Sequence, residues 1–181
     1  MQPPPTILGT ARLRLRPLTL DDLDALAPMY ADPEVRRYYP EGTQTREQTK
    51  EEIEWIMEGQ YGKHGYGLWA TIFKETGALI GRCGLIPWQQ PGGLETEVAY
   101  LLDKPYWGQG LATEAARGIV DYAFGPLGLT KLVCYMYPAN KASERVAQKL
   151  GMRLEREMVQ EGEVTLVYAM ERQGVSGDSG G

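Results

Sequence analysis

Gly108 and Gly110 sit two positions apart in the run Trp107-Gly108-Gln109-Gly110-Leu111-Ala112, where a stretch that reads as a strand hands over to one that reads as a helix. Two glycines let the backbone come close to a ligand, and a new helix offers unpaired N–H groups at the positive end of its dipole. The chemistry this suits is the cradling of a phosphate or pyrophosphate. No Gly-Lys-Ser/Thr follows, so the turn is not a P-loop, and Thr113 stands where the dinucleotide fingerprint has its third glycine. Further along, Asn140 is a good N-cap by type, and Ser143 brings a hydroxyl into the first turn of the same helix. Cys83 and Cys134 fall in strand-like runs and read as small buried hydrophobes. A nucleophilic cysteine would want a basic partner that the spacing does not supply. The single histidine, His64, lies in the loop-like Gly62-Lys63-His64-Gly65, which excludes a two-histidine metal motif. Two cysteines without Cys-x-x-Cys favour neither a zinc site nor a disulfide framework, so no metal is expected.

The elements that must hold these residues follow from periodicity. Ala11 to Arg16 alternates and reads as a strand. Thr19 and Asp22 open a helix with Leu23, Leu26 and Tyr30 on one face, stopped before Asp32-Pro33. Thr45 and Gln48 form a capping box, and Ile53, Ile56 and Met57 give the next helix its stripe. Tyr66 to Phe73 and Ala78 to Ile86 read as a hairpin around Glu75-Thr76-Gly77. Thr96 to Asp103 is a strand, Leu111 to Phe124 a helix and Lys131 to Tyr137 a buried strand. Asn140 to Leu150 is a helix stopped by Gly151. Arg153 to Val159 and Val164 to Met170 close the chain as strands around Glu161-Gly162-Glu163. The order is βααβββαβαββ, an α/β fold with a mixed sheet.

The chain of 181 residues is one domain's worth. Apolar residues at 43% and charged residues at 24% exclude bulk disorder. With 19 Lys plus Arg against 24 Asp plus Glu, the net charge of −5 suits neither nucleic acid nor an anionic membrane. The longest apolar run, Leu132 to Tyr137, is far too short to span a bilayer, and Met1 to Pro5 has no signal-peptide pattern. A cytoplasmic location is the expectation. Residues 1–8 read as a flexible lead, 9–172 as the domain and 173–181 as a flexible tail.

Linked motifs give the turn its context. Tyr106-Trp107-Gly108-x-Gly110-x-Ala112-Thr113-Glu114-Ala115 is followed by Asn140-x-x-Ser143 and Lys149-Leu150-Gly151-Met152, and preceded by Arg12 to Pro17 and Leu79-Ile80-Gly81. In these motifs the sequence resembles the GCN5-related N-acetyltransferases (GNAT), specifically their ribosomal-protein alanine N-acetyltransferase (RimJ/RimL-like) branch. Trp107 departs from the Gln or Arg usual in the wider family, and that departure is the habit of this branch. The resemblance implies a mixed, mainly antiparallel sheet of about seven strands with four flanking helices and a splay between the fourth and fifth strands. It implies acetyl-CoA as cosubstrate. Its pyrophosphate would lie on Trp107, Gly108, Gln109, Gly110, Leu111 and Ala112, and its pantetheine arm along Leu101 and Leu102, with contacts to Asn140 and Ser143.

Glu97 reads as the start of its strand; by the same resemblance Glu97 or bound water takes the amine's proton, and the Asp32 to Pro40 loop shapes the acceptor pocket, with Trp88 to Gly93 a second loop at its mouth. Ala147 stands where the wider family has a thiolate-protonating tyrosine, which leaves Ser143 or water for that task. The expected reaction is acetyl transfer to a primary amine by direct attack. The expected partner is an amine-bearing small molecule, such as a polyamine or amino sugar, or a protein N-terminus, with a homodimer left open and neither nucleic acid nor membrane. Two rivals stand beside it: an enzyme of another nucleotide, and a non-catalytic acyl-CoA-binding protein.

Overall fold

The computed structural model describes residues 4–160 and 162–173, so most of the expected tail, Glu161 of the last turn and the first three residues lie outside the described residues. In chain order the elements are β1 (Leu8–Gly9), β2 (Leu13–Pro17), α1 (Leu23–Ala31), α2 (Arg46–Trp55), α3 (Gly62–His64), β3 (Leu68–Phe73), β4 (Leu79–Gln90) and β5 (Gly93–Leu102). They continue with α4 (Leu111–Phe124), β6 (Lys131–Met136), α5 (Lys141–Lys149), β7 (Arg153–Gln160) and β8 (Glu163–Glu171).

One sheet of eight strands runs β1-β2-β3-β4-β5-β6-β8-β7. About seven strands were expected. The eighth is β1, which pairs Leu8 with Leu15 and Gly9 with Arg14 and is too short to leave a period in the sequence. Every neighbouring pair is antiparallel except β5 and β6. That parallel pair meets at a single register position, Glu97 with Val133, whereas β4 and β5 pair without a break from Gly81–Leu102 to Gln90–Gly93. The two strands part beyond Glu97, which is the splay expected between the fourth and fifth strands of the shorter count.

Alternation along β2 to β5 divides the core between the two faces. Leu13, Leu15, Trp69, Leu85 and Val98 face α4, which presents Leu111, Ala115, Ala116, Ile119 and Ala123 to them. The alanines let α4 lie close to the sheet, and Gly118 leaves room for Leu8 and Thr10, which a Cβ there would meet at 3.0 Å. Leu68, Ala70, Ile72, Ala99 and Leu101 face α1 and α2 through Leu26, Tyr30 and Ile53, with Ile56 just beyond α2. No helix among the described residues is long and apolar enough to cross a membrane.

Three local expectations change. The stripe of α2 was expected to include Met57, but after Trp55 the chain widens into a π-helix over Ile56–Tyr61. The extra residue per turn rotates the phase, so Ile56 is buried and Met57 is exposed. Trp88 to Gly93 was expected as a loop. Instead β4 and β5 continue through it, and only Pro91 and Gly92 make the turn. Glu97 therefore lies in the middle of its strand and not at its start.

Candidate active site

The parting of β5 from β6 opens a cleft of about 1260 Å³ that runs from the α1–α2 connection to the first turn of α4. Glu97 sits at its fork, on the last pair before the strands separate. Trp88 Nε1 donates to Glu97 Oε2 at 2.7 Å from the neighbouring strand. Burial pushes the Glu97 carboxyl up to about 7, against the opposing pull of the Trp88 indole, the Tyr135 backbone N–H and the Arg82 charge. A carboxylate that exchanges its proton near neutrality is suited to acid–base work.

Beyond the fork, β5 turns unpaired backbone towards the gap. Asp103 N–H donates to Ile80 and Leu101 C=O is aimed at Gly81, so both belong to β4. Alternation then turns the backbone groups of Val98, Tyr100 and Leu102 towards β6. Two of them are already engaged: Val98 C=O accepts from Cys134 Sγ at 3.2 Å, and Leu102 C=O accepts from Trp107 Nε1 at 2.8 Å. The expectation placed Leu101 and Leu102 together as an edge. Leu102 offers its N–H to the gap, while Leu101 contributes its side chain to the opposite cluster.

At the far end lies the glycine turn. Gly108 and Gly110 have φ of +72° and +76°, in the left-handed region that glycine occupies without strain. Gly110 caps α4, and Glu114 N–H is the first to bond back to it, so the N–H groups of Leu111, Ala112 and Thr113 have no helical partner. Trp107 N–H, by contrast, is already donated to Lys104. Gln109 points away from the cleft, its amide on Pro105 C=O. This geometry fits a pyrophosphate on residues 108–113, with Trp107 as a wall.

The turn is clamped by Glu114, Arg12 and Thr10, to which the motif reading assigned no role. Glu114 accepts from Arg12 N at 2.7 Å, Arg12 Nε at 2.7 Å and Thr10 Oγ1 at 2.6 Å, and Arg12 Nη1 donates to Gln109 C=O at 3.1 Å. Burial pushes the Glu114 carboxyl up, but these bonds outweigh it and hold it below the usual carboxylate range. A depressed carboxyl adds stability above its unfolded pKa and loses it as pH falls through the folded value. Glu114→Gln is therefore expected to destabilise the fold by about 1–3 kcal/mol at pH 7, and by progressively less as pH falls from the ordinary carboxylate range through the folded value. Thermal melts of parent and variant across pH 3–8 read this directly, and a pH-independent difference would show that the carboxylate charge is not what holds the turn.

Asn140 caps α5 as expected, accepting Ser143 N–H at 3.2 Å through Oδ1, and this leaves its amide free towards the cleft. Ser143 is half-buried on the cleft wall. The Tyr100 hydroxyl donates to Ser143 C=O at 3.0 Å, and burial pushes that phenol well up. Nothing in the motif spacing points to this neighbour, which comes from a strand 43 residues away. Cys134 also reaches the cleft, but burial, then the Glu97 charge, keeps it a thiol. Cys83 is buried and pushed up to about 11. His64 lies on the surface outside the cleft. Among the described residues no cluster of His, Cys, Asp or Glu could hold a metal ion.

Comparison with known proteins places this geometry. The family profile described as "Acetyltransferase (GNAT) domain" matches residues 12–153. The uncharacterized protein YkkB of Bacillus subtilis is 37% identical over 148 residues, 81% of this chain and 85% of that protein. The uncharacterized N-acetyltransferase p20 of Bacillus licheniformis is 32% identical, over 82% of this chain and 83% of its own. An acetyltransferase structure from Agrobacterium tumefaciens superposes with a TM-score of 0.79 at 31% identity, covering 95% of this chain and 97% of that one. The profile and these relatives agree with the mixed sheet opened between β5 and β6, and the chain belongs to the GNAT acetyltransferases as an acetyl-CoA-dependent N-acetyltransferase.

Proposed function

We propose that this enzyme acetylates a primary amine by direct transfer, with Glu97 as the base and Ser143 as the proton donor to the leaving thiolate. The observation that carries the reading is the position of Glu97: a carboxyl with a pKa of about 7, at the fork where the cleft opens. Acetyl-CoA, when bound, supplies the acetyl thioester. Gly108 to Thr113 hold the pyrophosphate by backbone N–H groups and the α4 dipole. Leu102 N–H and the Asn140 amide orient the arm between β5 and β6. Glu97 takes one proton from the ammonium, which frees the lone pair that forms the N–C bond. As the C–S bond breaks, the nitrogen gives up its second proton through water, and that proton replaces the one that the Ser143 hydroxyl donates to the sulfur, directly or through water. Cys134, held as a thiol, has no part in this route. Positioning amine and thioester in one cleft supplies much of the rate by itself.

The acceptor amine belongs to the loop side, where residues 34–40 line the cleft and Tyr38 reaches across to Ala139 C=O at 3.0 Å. The Trp107-led motif supports the ribosomal-protein branch and hence a protein N-terminus. A ribosomal L7/L12 alpha-N-protein acetyltransferase shares the fold at 16% identity. A spermidine N(1)-acetyltransferase of Escherichia coli, matching 36% of this chain at 35% identity, stands for small amines. Thiol release from acetyl-CoA with alanine-headed peptides, spermidine and amino sugars separates the two classes. Calorimetry with acetyl-CoA against NAD and ATP tests the cleft itself.

Ser143→Ala is expected to lower turnover about 10-fold at saturating acetyl-CoA, the modest end of acid–base effects, because water substitutes in part. The melting temperature should stay within a few degrees, since a half-buried serine hydroxyl contributes little to stability. Tyr100→Phe in parallel identifies the donor. Loss in Tyr100→Phe with none in Ser143→Ala would assign the proton to the phenol.

A further inference from the structure

The acceptor side of the cleft carries an excess of buried positive charge. Arg36, from the α1–α2 connection, and Arg82, on β4, are 2% and 3% exposed and both line the cleft. The one carboxylate set between them is Glu52 on α2, and its oxygens already accept from neutral donors, Tyr30 Oη at 3.0 Å and Gln44 Nε2 at 2.7 Å. Each arginine is anchored through Nε, Arg36 on Gly42 C=O at 2.8 Å and Arg82 on Tyr30 Oη at 2.7 Å. Their terminal nitrogens make only long carboxylate contacts: 3.6 Å from Arg82 to Glu52, 4.0 Å from Arg36 to Glu52 and 3.7 Å from Arg36 to Glu41. These exceed hydrogen-bond distance. Glu41 is 68% exposed and so meets Arg36 from the solvent side. Glu34, on the same loop, is paired with Lys104.

Tyr30 does not balance the charge, because burial pushes its hydroxyl pKa up and keeps it neutral. The Tyr39 ring covers both guanidinium groups, at 4.1 and 5.6 Å, and fixes their planes. Gln44 Oε1 is buried without a partner among the described residues. Two rigid cations facing one shared carboxylate form an incomplete site, since a buried charge without a close partner is costly. The pyrophosphate cradle lies at the opposite end of the cleft and does not complete it.

We infer that the acceptor carries an anionic group as well as its primary amine, and that Arg36 and Arg82 bind that group while Glu97 takes the proton from the nitrogen. This rests on the acceptor-side reading of Glu97 given above. Arg82 stands opposite Leu101, and Glu97 lies four residues along the same strand, so alternation puts both side chains on one face of the sheet. Four residues of strand separate the Cα positions by about 13 Å, shortened at each end by the side chains. The amine and the anion are therefore joined by a spacer of several bonds. Carboxylate and phosphate share the planar, bidentate fit to guanidinium. A polycation would meet two arginines where it needs carboxylates.

The test is thiol release from acetyl-CoA with matched acceptors: β-alanine, 4-aminobutyrate and their neutral amides, 2-aminoethyl phosphate, amidated Ala-Glu and Ala-Gln dipeptides, and spermidine. Acceptors with an anion are expected to exceed their neutral partners in kcat/KM by about 10-fold or more, the scale of a charged hydrogen-bonded contact. The dipeptide pair and the aminophosphate identify which source of anion the site takes. Arg36→Gln should raise KM for the anionic acceptor about 10-fold while its neutral amide changes little, and Arg36→Lys should restore part of the loss. Should Arg36→Gln melt early, the Lys variant and the matched pairs on the parent enzyme decide. Equal rates within every pair, or a preference for spermidine, would overturn the anion site alone. A Glu97→Gln variant that keeps the parent's rate and pH profile with the anionic acceptor would instead remove the base reading of Glu97 and leave the anion site standing.

Discussion

Glu97→Gln is expected to lower turnover at pH 7 by about 100-fold or more, the usual scale of a lost general base. The loss should shrink as pH rises past the amine's own pKa, about 8 for an α-amine and about 10.4 for a lysine-type amine, because the nucleophile then frees itself. The parent's kcat/KM should rise with pH through about 7 as the carboxyl ionises, and the variant should lack that limb. Stability gives an independent reading of the same group. The folded carboxyl, at about 7 against an ordinary 4.5, binds a proton that the unfolded chain has already lost, so the parent loses stability between those pH values. Gln carries no such penalty and keeps an amide where the carboxyl was. The variant should therefore melt higher than the parent at pH 8, by an amount equivalent to roughly 3 kcal/mol at most, and match it near pH 4. An equal loss of turnover at every pH would take the base role away from Glu97. A variant that is no more stable at pH 8 would show that the carboxyl is not desolvated.

Gly110→Val should weaken acetyl-CoA about 100-fold, because the new side chain stands over the N–H groups of the α4 first turn. A Cβ at Gly110 meets nothing nearer than Arg12 Nη2 at 3.8 Å, so the fold can accept the volume. What it resists is the backbone: a left-handed φ costs an L-residue about 1–2 kcal/mol, more when branched at Cβ. Gly128 supplies the control. It has φ of +66° and open space around its Cβ position, and it lies outside the cleft. Gly128→Val should lose a similar few degrees of melting temperature and keep its affinity. Calorimetric titration of both folded variants separates strain from ligand contact. Unchanged affinity in Gly110→Val would place the phosphates elsewhere.

Much of this architecture is written locally. The capping box of Thr45 and Gln48 starts α2, Asn140 starts α5, Asp32-Pro33 ends α1, and Gly77 turns the β3–β4 hairpin with φ of +73°. These are interactions within a few residues, so residue type and spacing suffice to read them. The glycine turn before α4 is legible for the same reason, since a positive φ at both Gly108 and Gly110 is a demand that few other residues meet. The reach of β4 to Gln90 is less legible. Trp88 to Gly93 has loop composition, and only its pairing with β5 makes it sheet.

The sequence by itself determined the longer elements, their order, the glycine turn before α4 and the absence of a tyrosine at Ala147. Only the tertiary structure decided what those elements bring together. Glu97 owes its raised pKa to burial at the fork between β5 and β6, and its indole partner to the long β4–β5 hairpin. Ser143 gains Tyr100 across 43 residues, and Glu114 locks to Arg12 across 102. Arg36 and Arg82 are ordinary charges in the sequence and become an anion site only when α2 sets a single carboxylate between them. Desolvation and charge pairing depend on groups distant along the chain, and no periodicity records which of those will meet.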